Sequence, residues 1–95
     1  MLNQYVIIGR MLSIYDLNDN TGNSIMTISV IKLNSDEEDS YNNIKFLLKN
    51  SLSTNAKAYF KEKDLVGIRG YIDTDEDENI VLVADKITFL SQRKE

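Results

Sequence analysis

The chain contains no cysteine, histidine, proline or tryptophan. Without cysteine there is no disulfide, no thiol nucleophile and no thiolate metal site. Without histidine the commonest general base and the commonest zinc ligand are both gone. Catalysis would have to rest on carboxylates alone, and the sequence carries no glycine-rich phosphate-binding loop. The expectation is a protein that is not an enzyme and that uses no cofactor or small-molecule substrate. The lack of proline agrees with uninterrupted strands. No apolar run approaches the roughly 18 residues of a membrane span, and no basic segment precedes an apolar one at the start as in a signal peptide. A cytoplasmic protein without membrane contact is therefore expected.

What is present is ordinary for one globular domain. The 95 residues are 42% hydrophobic and 27% charged, enough for one modest core. Fifteen acids against eleven bases give a net charge of −4. That balance opposes nucleic acid mildly, because phosphates are met by Lys and Arg. The gathering of the cations on one face matters more than their sum.

Hydrophobic spacing divides the chain into five strands and one helix. Residues 5–12 are rich in strand formers, with Gly9 as an interruption of the kind that marks a bulge or barrel corner. Residues 16–23 (DLNDNTGN) form a turn cluster. Residues 24–33 alternate, with Met26, Ile28 and Val30 on one face and Thr27, Ser29 and Ile31 on the other. Residues 34–43 are polar and acidic, as in a long hairpin loop. In residues 44–49, Ile44, Phe46 and Leu48 share a face opposite Lys45, Leu47 and Lys49. The period then changes: Leu52, Ala56, Tyr59 and Phe60 share one helical face, with Ser51 or Ser53 as a cap. Residues 65–73 make a strand with Val66, Ile68 and Ile72 inward. A hairpin tip follows at 74–79, and residues 80–90 form the last strand. Phe46, Phe60 and Phe89 are in phase with the core. The order β-β-β-α-β-β predicts a mainly β, five-stranded Greek-key barrel with one helix between strands 3 and 4. The domain is expected to span residues 1–91, with a short polar tail at 92–95.

Four short segments carry a resemblance. They are Met1-Leu2-Asn3 with Val6-Ile7-Ile8-Gly9-Arg10, the helix run Asn55-Ala56-Lys57-Ala58-Tyr59-Phe60-Lys61, the strand Gly67-Ile68-Arg69-Gly70, and Val83-Ala84-Asp85-Lys86-Ile87-Thr88-Phe89-Leu90. In this order and spacing the chain resembles the oligonucleotide-binding (OB) domain of bacterial-type single-stranded DNA-binding proteins, as a short divergent member. The resemblance implies sequence-independent binding of single-stranded DNA, with RNA also open, in replication, recombination or repair. It implies a homodimer or homotetramer with the first strand at the seam, and a bacterial nucleoid or phage-infected cell as the setting. The family's acidic, aromatic-ended tail is not matched by residues 91–95. Its base-stacking aromatics align with Asp36, Asn43, Lys49 and Asp77, none of which is aromatic, and a lost stack costs about 1–3 kcal/mol per base.

The nucleic-acid-binding candidates are Arg10, Lys32, Lys45, Lys49, Arg69, Tyr71 and Tyr41. Lys45 and Lys49 lie on the non-core face of the third strand, which in the family meets DNA; the other reading is a solvated face. Arg10 ends the first strand and either approaches a phosphate or joins a surface ion pair. Lys32 would extend the same stripe. Arg69 and Tyr71 alternate outward on the fourth strand, as a stacking platform or a dimer contact. Tyr41 is expected in or beside a loop, against a base or over the barrel rim. The acidic runs 36–39 and 75–78 read as solvated loop tips or as a negative rim, and they lack the pattern of a calcium loop. An OB module that has turned from DNA to protein partners is the alternative function.

Overall fold

A computed structural model describes residues 2–33 and 40–91. The acidic run 36–39, with the stacking position expected at Asp36, and the polar tail 92–95 lie outside the described residues. The elements are β1 (Tyr5–Asp16), β2 (Ser24–Ile31), β3 (Tyr41–Leu48), α1 (Asn50–Tyr59), β4 (Leu65–Thr74) and β5 (Ile80–Ser91). The strands close into one barrel in the order β1-β2-β3-β5-β4. Every pair is antiparallel except β3 with β5. This is the five-stranded OB barrel that the element order predicts.

The core forms from the inward residues of each strand. Met11, Met26, Ile28, Phe46, Leu48, Val66, Ile68 and Ala84 pack together with Ala56 of α1. Each large side chain so buried contributes about 1.5–3 kcal/mol. The phase expected for β2 and β3 is the phase observed: Met26, Ile28, Phe46 and Leu48 are all fully buried. The turn between β1 and β2 places Asn18, Asn20 and Gly22 at positive φ. Asparagine and glycine tolerate that conformation best, which accounts for the DLNDNTGN composition.

Closure depends on two glycines that bring backbone against backbone. At Gly9 an added Cβ would overlap the Ser29 carbonyl oxygen and stand 2.6 Å from the Ile28 Cγ2. At Gly70 it would overlap the Val83 carbonyl oxygen and stand 2.7 Å from the Tyr5 hydroxyl. Tyr5 uses the space Gly70 leaves, donating its hydroxyl to that same Val83 carbonyl at 2.8 Å. Burial first, and then the Asp85 carboxylate, push the Tyr5 phenol well above its ordinary range. Asn3 closes the other edge of β4, donating from its amide to the Ile72 carbonyl at 2.7 Å and accepting from the Ile72 N–H at 2.9 Å.

Several side chains depart from expectation. Tyr59, Ile72 and Phe89 are 75%, 45% and 46% exposed. Each is in phase with the core yet stays open to solvent; Phe89, opposite the buried Val66, lines a groove beside α1 with Tyr59 and Phe60. Phe60 is half-buried and stacks against Phe89 with ring centroids 6.3 Å apart. Neither Ser51 nor Ser53 caps α1: the N-cap is Lys49, without a side-chain cap bond. Ser53 is instead fully buried, and its hydroxyl pairs with that of Ser24 at 2.7 Å, joining the helix to the start of β2. Arg10 sits inside β1 rather than at its end, and Tyr41, expected in or beside a loop, is the first residue of β3.

Gly70→Ala is expected to destabilise the fold by at least about 3 kcal/mol or prevent folding, because backbone must move. Gly67→Ala, whose Cβ would meet only Leu90 Cδ1 at 3.8 Å and Ile8 Cγ1 at 3.9 Å, should be neutral or stabilising by under about 1 kcal/mol. Urea unfolding of both variants checks this; equal losses would contradict the closure described.

Candidate nucleic-acid interface

Alternation along β2 and β3 turns Ile25, Thr27, Ser29 and Ile31, and Tyr41, Asn43, Lys45 and Leu47, away from the core. They pair across the two strands as Ile25 with Leu47, Thr27 with Lys45, Ser29 with Asn43 and Ile31 with Tyr41. No acidic residue stands among them, although the chain as a whole is acidic. The register extends the first of these pairs into a band around the barrel. Tyr15 lies opposite Ile25, Leu47 opposite Val83, and Val83 opposite Tyr71. Ile25 and Leu47 thus make a half-buried apolar pair on the outer surface with Tyr15 beside it, while Val83 is itself buried, at 3% exposure, and separates that pair from Tyr71.

The expected cations divide among different places. Lys45 lines a groove with Ile25, Asn43 and Leu47 on one side and Ile80, Val81 and Leu82 of β5 on the other. That groove contains neither Lys49, Arg69 nor Tyr71. Lys49 was expected on the outer face of β3, but the strand ends at Leu48 and Lys49 stands at the helix N-cap. Lys32 lies just past β2, exposed, with its N–H on the Ser40 carbonyl at 2.9 Å. Arg10 and Tyr41 meet in a second groove with Leu12, Ser29 and Lys63. Arg10 Nη1 donates to the Lys63 carbonyl at 3.3 Å, and Tyr41 is 51% exposed. Arg69 faces out between Val6 of β1 and Lys86 of β5. That face also carries Val6 and Ile8, 69% and 56% exposed. Arg69 and Tyr71 do share the outer side of β4, yet β5 separates them from Lys45.

Of the positions aligned with stacking aromatics, Asn43 faces outward on β3, while Asp77 lies in the β4–β5 tip. That tip is built by Asp75. Its carboxylate accepts from the N–H groups of Asp77 and Asn79, each at 2.9 Å. The Asn79 N–H, with smaller help from the Asp77 N–H and the Asn79 side chain, holds the Asp75 carboxyl below its ordinary value. In the β1–β2 loop the Thr21 hydroxyl and N–H do the same for Asp19. Both carboxylates therefore serve loop geometry. No cluster of metal-ligating side chains occurs among the described residues, and no helix among them is long and apolar enough to cross a membrane. Lys57, left out of the binding set, forms an ion pair with Asp16 at 2.7 Å.

Lys63, Ile25 and Leu47 were not among the residues expected from sequence. Leu47 carried a legible signal, an apolar residue on the lysine face of β3. Lys63 carried none, because its place beside Arg10 arises from pairing of the α1–β4 turn with β1. The Lys63 N–H donates to the Met11 carbonyl at 2.7 Å and the Met11 N–H to the Asp64 carbonyl at 2.9 Å.

No protein-family model and no curated protein matches the chain. Solved structures do match. The mitochondrial single-stranded DNA-binding protein Rim1 of Saccharomyces cerevisiae superposes with a TM-score of 0.74 at 16% identity, covering all of both chains. A small single-stranded DNA-binding protein from Streptomyces coelicolor gives 0.66 at 16% identity over 94% of each chain. The dimeric N-terminal domain of PriB from Thermoanaerobacter tencongensis gives 0.69 at 13% identity, covering 95% of this chain and 98% of that one. At these identities the likeness establishes the fold.

The Asp75 tip has a defined pH dependence. Because its folded value lies below the ordinary 3.8, the order it confers is fully present above that value. It is lost as pH falls through the lower folded value. Hydrogen exchange at Asp77 and Asn79 should speed up, beyond the intrinsic pH effect, only in that acidic window. Asp75→Ala should speed it at neutral pH while leaving the global unfolding midpoint nearly unchanged.

Proposed function

We propose that this protein binds single-stranded DNA without sequence preference, along the outward face of β2 and β3. The observation that carries this is the distribution of charge and apolar surface. In a chain of net charge −4, this face has no carboxylate, carries Lys45 and ends at Arg10 and Tyr41. Ile25, Leu47 and Tyr41 offer apolar and aromatic surface on which bases rest, and the cations meet phosphates. Base-on-aromatic stacking is sequence-tolerant, since every base has a π face. With few aromatics, affinity leans on the electrostatic component and is steeply dependent on salt. The solved structures with this fold include proteins described as single-stranded DNA-binding, which supports the reading. Holding transient single strands would suit replication, recombination or repair.

Weak single sites gain from assembly. The outer face of β1, β4 and β5 suits a second copy of the chain: Val6, Ile8 and Leu90 are 69%, 56% and 44% exposed around Gly67, and β1 was expected at the seam. Arg69 belongs to this face. A protein-binding OB module is the second reading. It is favoured by the apolar groove between α1 and β5, where Leu52, Phe60, Ile87 and Phe89 stand partly open to solvent over the buried Ala56.

Fluorescence anisotropy with a labelled oligo-dT separates the readings. Binding should be clear at about 20 mM salt, with a log–log salt slope of roughly −2 to −3 for three or four phosphate contacts. Lys45→Glu should weaken it by about tenfold or more, or ~1.4 kcal/mol. Arg69→Glu, compared with the parent chain at matched oligomeric state by light scattering because Arg69 belongs to the assembly face, should leave it within about twofold, as expected for a charge outside the path. Absence of binding at the lowest salt would leave the protein-partner reading, and a larger loss from Arg69→Glu would put DNA on the other face.

A further inference from the structure

We infer that Arg10 and Lys63 form a two-cation phosphate site at the end of the β3 face, with Tyr41 beside it as a base platform. The inference rests on the single-strand reading above and adds to it a residue and a direction of travel. Arg10 reaches from β1 and Lys63 from the turn after α1, and both line one groove with Tyr41, Ser29 and Leu12. The Arg10 guanidinium is held there by the Lys63 backbone carbonyl, 3.3 Å from Nη1, so two cationic residues border one notch. Like charges brought together favour an anion between them. Among the described residues no ion pair engages either cation; the pair that forms is Lys57 with Asp16, on α1 and the end of β1. Of the acids flanking Lys63, Asp64 is buried and accepts from the Lys61 N–H at 2.9 Å, and Glu62 does not line the groove.

Lys63 occupies a backbone conformation that disfavours any side chain, with φ 75. Glycine would fit that turn without strain. A lysine there is costly for the fold and adds a second cationic residue to the groove that Arg10 lines. The strand would then run along β3 from the Lys45 groove over Asn43 to Tyr41, with a phosphate at Arg10 and Lys63.

Lys63→Gly tests this cleanly, because it relieves the backbone while removing the charge. Thermal unfolding should show a midpoint equal to or above that of the parent chain. Should the midpoint fall, Lys63→Asn, which also tolerates positive φ, takes its place. Oligo-dT anisotropy over about 20 to 200 mM salt should give a slope shallower by about 0.7, the loss of one single-strand phosphate contact. A tenfold rise in salt would then cost the variant about fivefold less affinity than the parent. Lys57→Ala should keep the parent slope. If the parent binds and Lys63→Gly keeps its slope and affinity, the two-cation site is wrong and the β2–β3 reading stands. If the parent itself fails to bind at the lowest salt, the single-strand reading falls and this site falls with it.

Discussion

The barrel closes only because backbone can touch backbone at Gly70. β5 must pair with β4 along its length and with β3 at Leu47 and Leu48, and the tightest approach falls where Val83 crosses Gly70. A methyl group there would overlap the Val83 carbonyl. The same carbonyl accepts the Tyr5 hydroxyl, so β1, β4 and β5 are tied at one point. The register irregularity between Arg69 and Gly70 is the local cost of that crossing. It has a consequence for the surface: with β5 fixed between β3 and β4, the buried Val83 separates Leu47 from Tyr71.

Charge is distributed by the same geometry. Among the described residues the acidic side chains, Asp85 within β5 apart, occupy hairpin tips, turns and strand ends, where the carboxylates of Asp19 and Asp75 hold loops by accepting backbone N–H groups. The outward positions of β2 and β3 are left without carboxylates. A net negative chain can therefore present a face on which a polyanion would meet cations first, and on the proposed path the acidic β4–β5 tip would repel phosphate. The apolar β1/β4/β5 face and the apolar α1–β5 groove lie elsewhere on the barrel, so assembly need not compete with the β2–β3 surface.

The strands were legible because alternation reports phase directly. Met26 and Ile28, and Ile44, Phe46 and Leu48, showed which side faced inward. Phase reports which side a residue faces and not whether anything covers it, so Tyr59, Ile72 and Phe89 share the phase of the core and are half or mostly exposed. Lys49 was misplaced by one step, since the strand gives way to the helix immediately after Leu48. The candidate site was legible in part. Lys45 and Arg10 followed from strand position and resemblance. Which cations share a groove depends on strand order around the barrel and on the turn at Lys63, and neither leaves a periodic trace in the sequence.

The central claim is that one face of the barrel, running from the Lys45 groove to Tyr41, Arg10 and Lys63, receives the single strand. Backbone amide NMR shifts recorded while an unlabelled oligo-dT is titrated into the labelled protein test it most directly. The account predicts the largest shifts at Ile25, Tyr41, Asn43, Lys45, Leu47, Arg10 and Lys63, with Arg69, Lys86 and the α1–β5 groove nearly still. Shifts centred on Phe60 and Phe89, or on Val6 and Arg69, would contradict it.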